Sequence, residues 1–282
     1  MRVRSILKSR KSHLFLFALV TVCIFNIPAY SLDPIGPVGS ELELNQFDFG
    51  IEYSHTKMDL DLYNGLYTDY FNGSWYDSGE ALDITLKDLK INRTYARFGY
   101  GFMDNAEVFL RLGGLTAKFG DSIWEDSEEF DSGTELAAGA GLKITFFKED
   151  NLKLGGLFQF STASFDGQLK APHWESSDFV DIDMTEVQLA LGASCKCNDQ
   201  LTIYGGPFLH FVNGDISDNM TASSSTDPGI FNSEFTWDIE ERSSFGGYIG
   251  AQLNLSEQSA FNIEYQQTAD AQAFGMSLIF KF

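Results

Sequence analysis

The chain has 282 residues, with 19 Lys and Arg against 40 Asp and Glu, and a formal net charge of −21. So acidic a chain excludes binding to nucleic acid, because nucleic-acid phosphates require a basic surface. Aromatic residues make up 15% of the chain and prolines number only 6, a composition that favours β-strands over disorder.

The first 31 residues have the pattern of a cleaved secretory signal peptide. Basic residues between Arg2 and Lys11 precede an apolar run from Leu14 to Ile27, which is shorter than the roughly 20 residues that a spanning helix needs. Ala29-Tyr30-Ser31 fits the small-x-small cleavage pattern, so we expect the mature chain to begin at Leu32. Cleavage leaves 14 basic and 40 acidic residues, a formal charge of −26.

From residue 44 onward the sequence repeats an alternating run of about ten residues, followed in turn by a short turn or a long polar stretch. The first run has Phe47, Phe49 and Ile51 on one face and Asp48 and Glu52 on the other. A period of two is typical of a strand between an apolar medium and a polar interior. We interpret the long polar stretches as loops, at about residues 56–87, 120–133, 165–181 and 213–240.

The runs number about ten, and eight or twelve would follow from a different interpretation of the first loop or of the weak ninth strand. An even number of strands, joined alternately by short and long connections, predicts a closed antiparallel up-and-down transmembrane β-barrel. Pro207 lies within the seventh run. Because proline removes a ladder donor, we expect a bulge or local break there.

Charged residues of both signs share one face of these runs, and the other face is nearly free of charge. In lipid, Arg or Lys at mid-depth would cost roughly 2–4 kcal/mol. We therefore predict that the charged face lines the lumen, whereas a soluble barrel would have its faces reversed. The predicted lumen network consists of Asp48, Glu52, Arg93, Arg97, Glu107, Arg111, Glu135, Lys143 and Glu186.

The last run, Phe274 to Phe282, alternates apolar residues with small or polar ones and ends on an aromatic residue. It resembles the closing strand of bacterial outer-membrane β-barrels, in which the C-terminal Phe is part of the assembly signal. The resemblance extends to small porin-like, OmpA-barrel-like and OmpW-like proteins. It implies a location in the bacterial cell outer membrane, with residues 32–43 as a periplasmic segment and residues 44–282 as the barrel. The implied partners are outer-membrane lipid, lipopolysaccharide and the barrel-assembly machinery.

The chemistry-bearing residues do not form a recognisable catalytic motif. Ten strands is also the number in the omptin proteases, which makes His55 and His210 candidate rim bases, and His173 lies in a predicted loop. Neither rim histidine follows an Asp, so we name no catalytic residue and expect no enzyme and no cofactor. Cys195 and Cys197 lack the C-x-x-C spacing of redox motifs.

For function, the sequence favours a structural or surface-interaction barrel with a lumen largely filled by side chains and with acidic extracellular loops. Ten strands enclose little more space than eight, which side chains can fill. Glycines on the inner face, including Gly50, Gly99 and Gly139, keep a narrow porin-like channel for small solutes or cations as an alternative. An omptin-like surface hydrolase is a further alternative. Divalent cations are a candidate partner of the acidic loops, above all the one near 120–133.

Overall fold

The computed structural model describes residues 32–120, 129–170, 176–223, 229–242 and 244–282. The predicted signal peptide and His173 therefore lie outside the described residues. No helix in the described ranges is long and apolar enough to cross a membrane. The strands are β1 (Phe47–Phe71), β2 (Ser74–Glu80), β3 (Ile84–Met103), β4 (Ala106–Gly120), β5 (Glu129–Asp131), β6 (Glu135–Glu149), β7 (Leu152–Lys170), β8 (Ser176–Lys196), β9 (Leu201–Ser223), β10 (Ile230–Glu241), β11 (Phe245–Asn254), β12 (Ser259–Gln267) and β13 (Ala271–Lys281).

Ten of these strands close into one antiparallel ring. Its order is β1-β3-β4-β6-β7-β8-β9-β11-β12-β13, and β13 returns to β1. Phe49 of β1, for example, pairs with Phe98 of β3 on one side and with Phe280 of β13 on the other. Because every strand of the ring is paired along both of its edges, the sheet has no free edge. The prediction of a closed, ten-stranded barrel is therefore confirmed.

The remaining three strands extend the wall at one end of the ring. β10 pairs with β9 and β1 beyond the ends of β11, β12 and β13, which are short. β5 lies between β4 and β7, and β2 pairs with β1. Connections at residues 104–105, 150–151, 197–200 and 255–258 close the opposite end. Short turns of this kind mark the periplasmic end of an outer-membrane barrel, so the extended end is extracellular.

Most of the predicted loops are in fact strand. β1 continues to Phe71 and β3 begins at Ile84, within the predicted loop 56–87. β7, β8, β9 and β10 likewise occupy much of 165–181 and 213–240. The loop predictions are wrong because these stretches still alternate with a period of two, but with apolar residues on the inner face and polar residues on the outer face. The outward polar residues resemble those of a loop. Residues 121–128, most of the predicted acidic loop, lie outside the described residues.

Along β1, polar and apolar side chains exchange faces of the barrel wall. Its inward side chains change from Asp48 and Glu52 near the turns to Met58 and Leu60 further along. Its outward side chains change from Phe47, Phe49 and Ile51 to Lys57, Asp59 and Asp61 over the same distance. Below the exchange the outer face suits lipid, and above it the outer face suits water.

The other long strands exchange their faces at the same level, so the barrel has two parts. The membrane half extends from the short turns to a ring of inward polar residues, and the extracellular half extends beyond that ring. The ring consists of Thr56, Arg93, Ser161, Glu186, His210 and Glu241.

Pro207 interrupts one ladder without changing its register. The β8–β9 pairs run to Ala190↔Phe208 and resume at Ala193↔Gly205. On the other side, Pro207 itself lies opposite Gly247 of β11 in an unbroken run of pairs. The expected irregularity is therefore a local gap beside the missing N–H rather than a bulge.

Candidate functional site

The lumen of the membrane half contains the segment of residues 32–43, which precedes β1. Leu32, Ile35 and Val38 are at most 1% exposed. Their contacts are with inward side chains of the barrel wall, among them Phe109, Leu157 and Phe208. The sequence predicted a periplasmic segment here, and the structure instead has it inside the barrel. We call residues 32–43 the plug segment.

The first part of the plug segment is held through its backbone. The carbonyl oxygen of Pro34 accepts a hydrogen bond from Nη2 of Arg111 at 2.6 Å. The amide groups of Ile35 and Gly36 each donate to a carboxylate oxygen of Glu264 at 2.7 Å. Gly36 has a φ of 63°, a left-handed conformation that glycine adopts without strain. These bonds satisfy backbone groups that water would otherwise have to satisfy inside the lumen.

The second part of the plug segment is held in the same way, nearer the short turns. Nζ of Lys143 donates to the carbonyl oxygen of Pro37 at 2.9 Å. The amide groups of Glu41 and Leu42 donate to Oε2 of Glu107 at 2.7 and 3.1 Å. The cavity between the plug segment, Lys143 and β12–β13 has a volume of about 10 Å³, which is at most the space of one water molecule.

A first group of buried charges lies beside the plug segment on β1, β3 and β4. The guanidinium of Arg97 contacts Asp48 at 2.6 Å and Glu107 at 2.9 Å. Nε of Arg111 contacts Glu52 at 2.5 Å. The ring of Phe109 lies between the two arginines, each with its Cζ 4.7 Å from the ring centroid, a cation–π geometry that favours a desolvated guanidinium. Each arginine therefore lies between a carboxylate and the ring of Phe109.

A second group of buried charges marks the boundary between the two halves. Arg93 contacts Glu186 through both terminal nitrogens, and its Nη1 is 3.3 Å from Asp33 of the plug segment. The ring of His210 reaches Glu186 with Nε2 at 3.1 Å and Glu241 with Nδ1 at 2.6 Å. Two ionised carboxylates can both be satisfied only when both ring nitrogens carry hydrogen. The group thus links Asp33, Arg93, Glu186, His210 and Glu241 in one chain of polar contacts across the lumen.

The predicted lumen residues do not all share this environment. Eight of them (Asp48, Glu52, Arg93, Arg97, Glu107, Arg111, Lys143 and Glu186) are buried inside the membrane half, between 1% and 7% exposed. Glu135 differs. It is only half-buried and pairs with Leu115, whose side chain belongs to the apolar interior of the extracellular half.

Sequence reasoning missed several partners of this network. The sequence predicts a periplasmic position for Asp33, and the predicted lumen network does not include Glu264 and Gln266 of β12, although alternation with Ile263 and Tyr265 turns both inward. Glu241 lies just past the predicted loop 213–240 and outside every predicted strand. The period of two was a sufficient signal for the β12 residues, whereas no pattern in the plug segment indicated that it enters the lumen.

The other chemistry-bearing residues do not converge. His55 faces outward, with Nδ1 at 2.6 Å from Oδ1 of Asn92, on the opposite side of the wall from the lumen that contains His210. Cys195 and Cys197 are exposed and unbridged. No three His, Cys, Asp or Glu side chains in the described part of the chain are grouped to hold a metal ion. The candidate cation site near 120–133 falls mainly outside the described residues and stays a prediction.

The lumen of the extracellular half is filled by apolar side chains from every strand around it. Phe119 and Phe130 stack with ring centroids 4.5 Å apart, and Phe235 and Trp237 stack at 5.5 Å. Burial of apolar surface stabilises this half by roughly 25 cal/mol per Å². The apolar cluster, as we call it, includes Met58, Leu60, Leu62, Leu86, Leu89, Ile91, Leu115, Phe119, Phe130, Phe165, Leu169, Val180, Ile182, Met184, Val212, Ile216, Trp237 and Ile239.

Comparison with known proteins agrees with this architecture. The model of the outer membrane protein beta-barrel domain family matches residues 110–275, more than half of the chain. The chain therefore belongs to this family and is a bacterial outer-membrane β-barrel. A search of curated proteins finds no match.

The solved structures to which this chain is similar include three bacterial proteins. The outer membrane protease OmpT of Escherichia coli is 11% identical, with a TM-score of 0.41, over 83% of this chain and 97% of that one. The translocator domain of the autotransporter NalP of Neisseria meningitidis is 11% identical, with a TM-score of 0.42, over 86% and 90%. The attachment invasion locus protein Ail of Yersinia pestis is 12% identical, with a TM-score of 0.30, over 85% and 99%.

Proposed function

We propose that this protein is a sealed, non-conducting outer-membrane barrel with a structural or surface-interaction role. The observation that carries the proposal is that the lumen is closed twice. The plug segment and the buried charges fill the membrane half, and the apolar cluster fills the extracellular half. A hydrated ion would have to cross both, and the second barrier is lined mainly by apolar side chains.

Conductance in planar bilayers tests this proposal. The full mature protein should give no stable steps at any applied voltage at which the bilayer itself survives. Steady, cation-selective steps from the folded protein would contradict the proposal and favour the narrow channel. A porin of known conductance, inserted in the same bilayer, shows that the measurement is sensitive enough.

A deletion separates the two closures. A variant lacking residues 32–43 loses the plug segment but keeps the apolar cluster, so it should still not conduct. Heat-modifiable migration in gel electrophoresis verifies that this variant has folded. Conductance of the folded deletion variant would mean that the plug segment alone seals the lumen, and the second half of the argument would fail.

We propose that the protein is not an enzyme. His210 is 1% exposed, and both of its ring nitrogens contact carboxylates, so no substrate reaches it. His55 has its own partner in Asn92 on the outer wall. Incubation of the folded protein with peptide and lipid substrates should yield no hydrolysis. Hydrolysis that His210→Ala or His55→Ala abolishes would restore the omptin-like alternative.

A surface role is supported by the far end of the extracellular half. Trp75 and Tyr76 of β2 are 65% and 66% exposed, and Tyr76 lies edge-on to Phe231 of β10, with ring centroids 6.4 Å apart. Exposed aromatic groups of this kind are typical of interaction surfaces. Truncation of both residues to Ala should leave folding intact, so that any loss of cell-surface binding can be assigned to this surface.

A further inference from the structure

Three lysines form a row on the outer wall of the barrel. Lys57 of β1 is paired with Lys90 of β3, and Lys90 is paired with Lys118 of β4. Like charges directly opposite each other on neighbouring strands destabilise a sheet. This lysine row is unexpected in a chain whose predicted mature form has only 14 basic residues against 40 acidic ones.

The carboxylates near the lysine row neutralise only its ends. Lys57 contacts Asp88, and Nζ of Lys118 is 2.5 Å from Asp131. Both aspartates are exposed, and ion pairs in water contribute little. Lys90, at the centre, has no ion pair with any described residue. The row therefore presents an unneutralised positive charge at its middle.

The height of the lysine row matches the surface of the membrane. Phe47 lies at the periplasmic end, where its ring is 4.8 Å from that of Tyr100, and Lys57 is ten residues further along β1. At about 3.4 Å per residue and a strand tilt of 35–45°, this corresponds to a rise of roughly 24–28 Å. The apolar band of such barrels is about 25 Å tall. The row thus lies where the lipid headgroups of the outer leaflet begin.

From the bilayer outward, the polarity of the outer wall below the lysine row increases in the same order as the polarity of a lipid molecule from its acyl chains to its headgroup. The row formed by Ile51, Ala96 and Leu112 is apolar. Above it, Nδ1 of His55 is 2.6 Å from Oδ1 of Asn92, and Nδ2 of Asn92 donates to Thr116 at 3.3 Å. Apolar, polar and cationic rows therefore follow one another from the bilayer outward.

The opposite side of the barrel lacks this order. On β8, the outward residues Leu189 and Val187 are followed by Thr185 and then by Asp183, at the position where the other side has its lysines. Asp183 is paired with Asp215 of β9. That side would repel an anion, whereas Lys57, Lys90 and Lys118 give the wall formed by β1, β3 and β4 a positive charge. We propose that Lys57, Lys90 and Lys118 bind the phosphate groups of outer-leaflet lipid headgroups, since lysine ammonium groups bind phosphate as point charges. The inference does not depend on whether the lumen conducts.

Native mass spectrometry of the full mature protein in detergent tests the proposal. Titration with lipid A carrying two phosphates should give at least tenfold tighter binding than titration with dephosphorylated lipid A. Lys90→Gln should reduce this preference several-fold, and Lys57→Gln/Lys90→Gln/Lys118→Gln should abolish it. The matched control is Lys148→Gln, which removes an exposed lysine at the periplasmic end and should leave the preference unchanged.

Two results would overturn the proposal. One is equal binding of the two lipids by the unaltered protein, and the other is a full preference in the folded triple variant or, should that variant not fold, in Lys90→Gln. Inorganic phosphate at millimolar concentration is a separate arm and should not displace the phosphorylated lipid. Displacement would identify a site for a soluble anion and would contradict the assignment to a lipid headgroup.

Discussion

Long strands such as β1 and β8 run through both the membrane half and the extracellular half of this barrel, yet the two faces of the wall have opposite chemistry in the two halves. In the membrane half the wall is apolar outside and charged inside. In the extracellular half it is polar outside and apolar inside, as at Asp181 and Ile182 of β8. The strand period is two throughout, so the backbone does not distinguish the halves. The medium around each half does.

The two halves also differ in what their interiors contribute. Apolar burial in the extracellular half stabilises folding directly. In the membrane half, the cost of desolvating the buried charges cancels much of the attraction within each ion pair. Removing one partner of such a pair nevertheless destabilises the fold strongly, because the other charge stays buried and unpaired. We therefore expect the network around Arg93 and Glu186 to specify the arrangement of the plug segment more than it stabilises the fold.

The largest effect should come from breaking the network at the boundary. Glu186→Ala removes the carboxylate that Arg93 and His210 share, so that Arg93 keeps only Asp33 and His210 keeps only Glu241. We expect a loss of about 5 kcal/mol in the free energy of unfolding. Urea unfolding in lipid vesicles, followed by tryptophan fluorescence, measures this. Glu240→Ala, at an exposed outward position of β10, is the control and should change the stability by less than about 0.5 kcal/mol. Equal losses would show that the network has no special cost of disruption.

Next in size is the removal of a ring from the apolar cluster. Phe165 is 1% exposed inside the extracellular half, whereas Phe160 of the same strand is 44% exposed on the lipid-facing wall. Phe165→Ala should cost about 4 kcal/mol through the lost burial and the cavity left behind. Phe160→Ala should cost much less, because lipid chains fill the space. The same unfolding experiment compares the two, and a larger loss for Phe160→Ala would contradict the division into halves.

A positive charge on the outer wall should be costly in one half only. Leu110, 64% exposed, faces lipid, and Leu82, 83% exposed, lies in the extracellular half. Leu110→Lys should destabilise the barrel by roughly 2–4 kcal/mol, and Leu82→Lys should be nearly neutral. The difference between the two variants in urea midpoint, in the same vesicles, provides the measurement. A tolerated Leu110→Lys would place that position outside the bilayer.

The smallest effect concerns the acidic wall of the extracellular half. Partial burial, together with Asp183 and Asp166, raises the pKa of Asp181 above its usual value. A carboxyl group whose pKa is higher when folded favours folding while protonated, and this contribution is lost as pH rises through the folded pKa. Asp181→Asn should therefore stabilise the protein by a few tenths of a kcal/mol at pH 7. The gain should fade below the ordinary pKa of 3.8, and a gain that instead grew in acid would refute the sign.

Much of the membrane half could be predicted from the sequence, because lipid imposes a strict rule on the outer face. Arg97 and Glu107 alternate with apolar residues, and this alone turns them inward. The loop predictions in the extracellular half are wrong for a physical reason. Outward Asp and Asn residues near Asp59 and Asp215 resemble a polar loop and mask the inward apolar positions that alternate with them. The plug segment has no periodicity, and its position depends on distant partners such as Glu264, so no local pattern could indicate it.

The central claim is that both faces of the wall exchange their chemistry at one height. Nitroxide labels placed singly along β8, in a Cys195→Ser/Cys197→Ser background reconstituted in vesicles, test it through their accessibility to oxygen and to a water-soluble nickel chelate. We predict that labels at Leu189 and Leu191 meet oxygen, that labels at Asp181 and Asp183 meet the chelate, and that a label at Ile182 meets neither. Free access of the chelate to a label at Ile182 would show a water-filled extracellular lumen and would contradict the account.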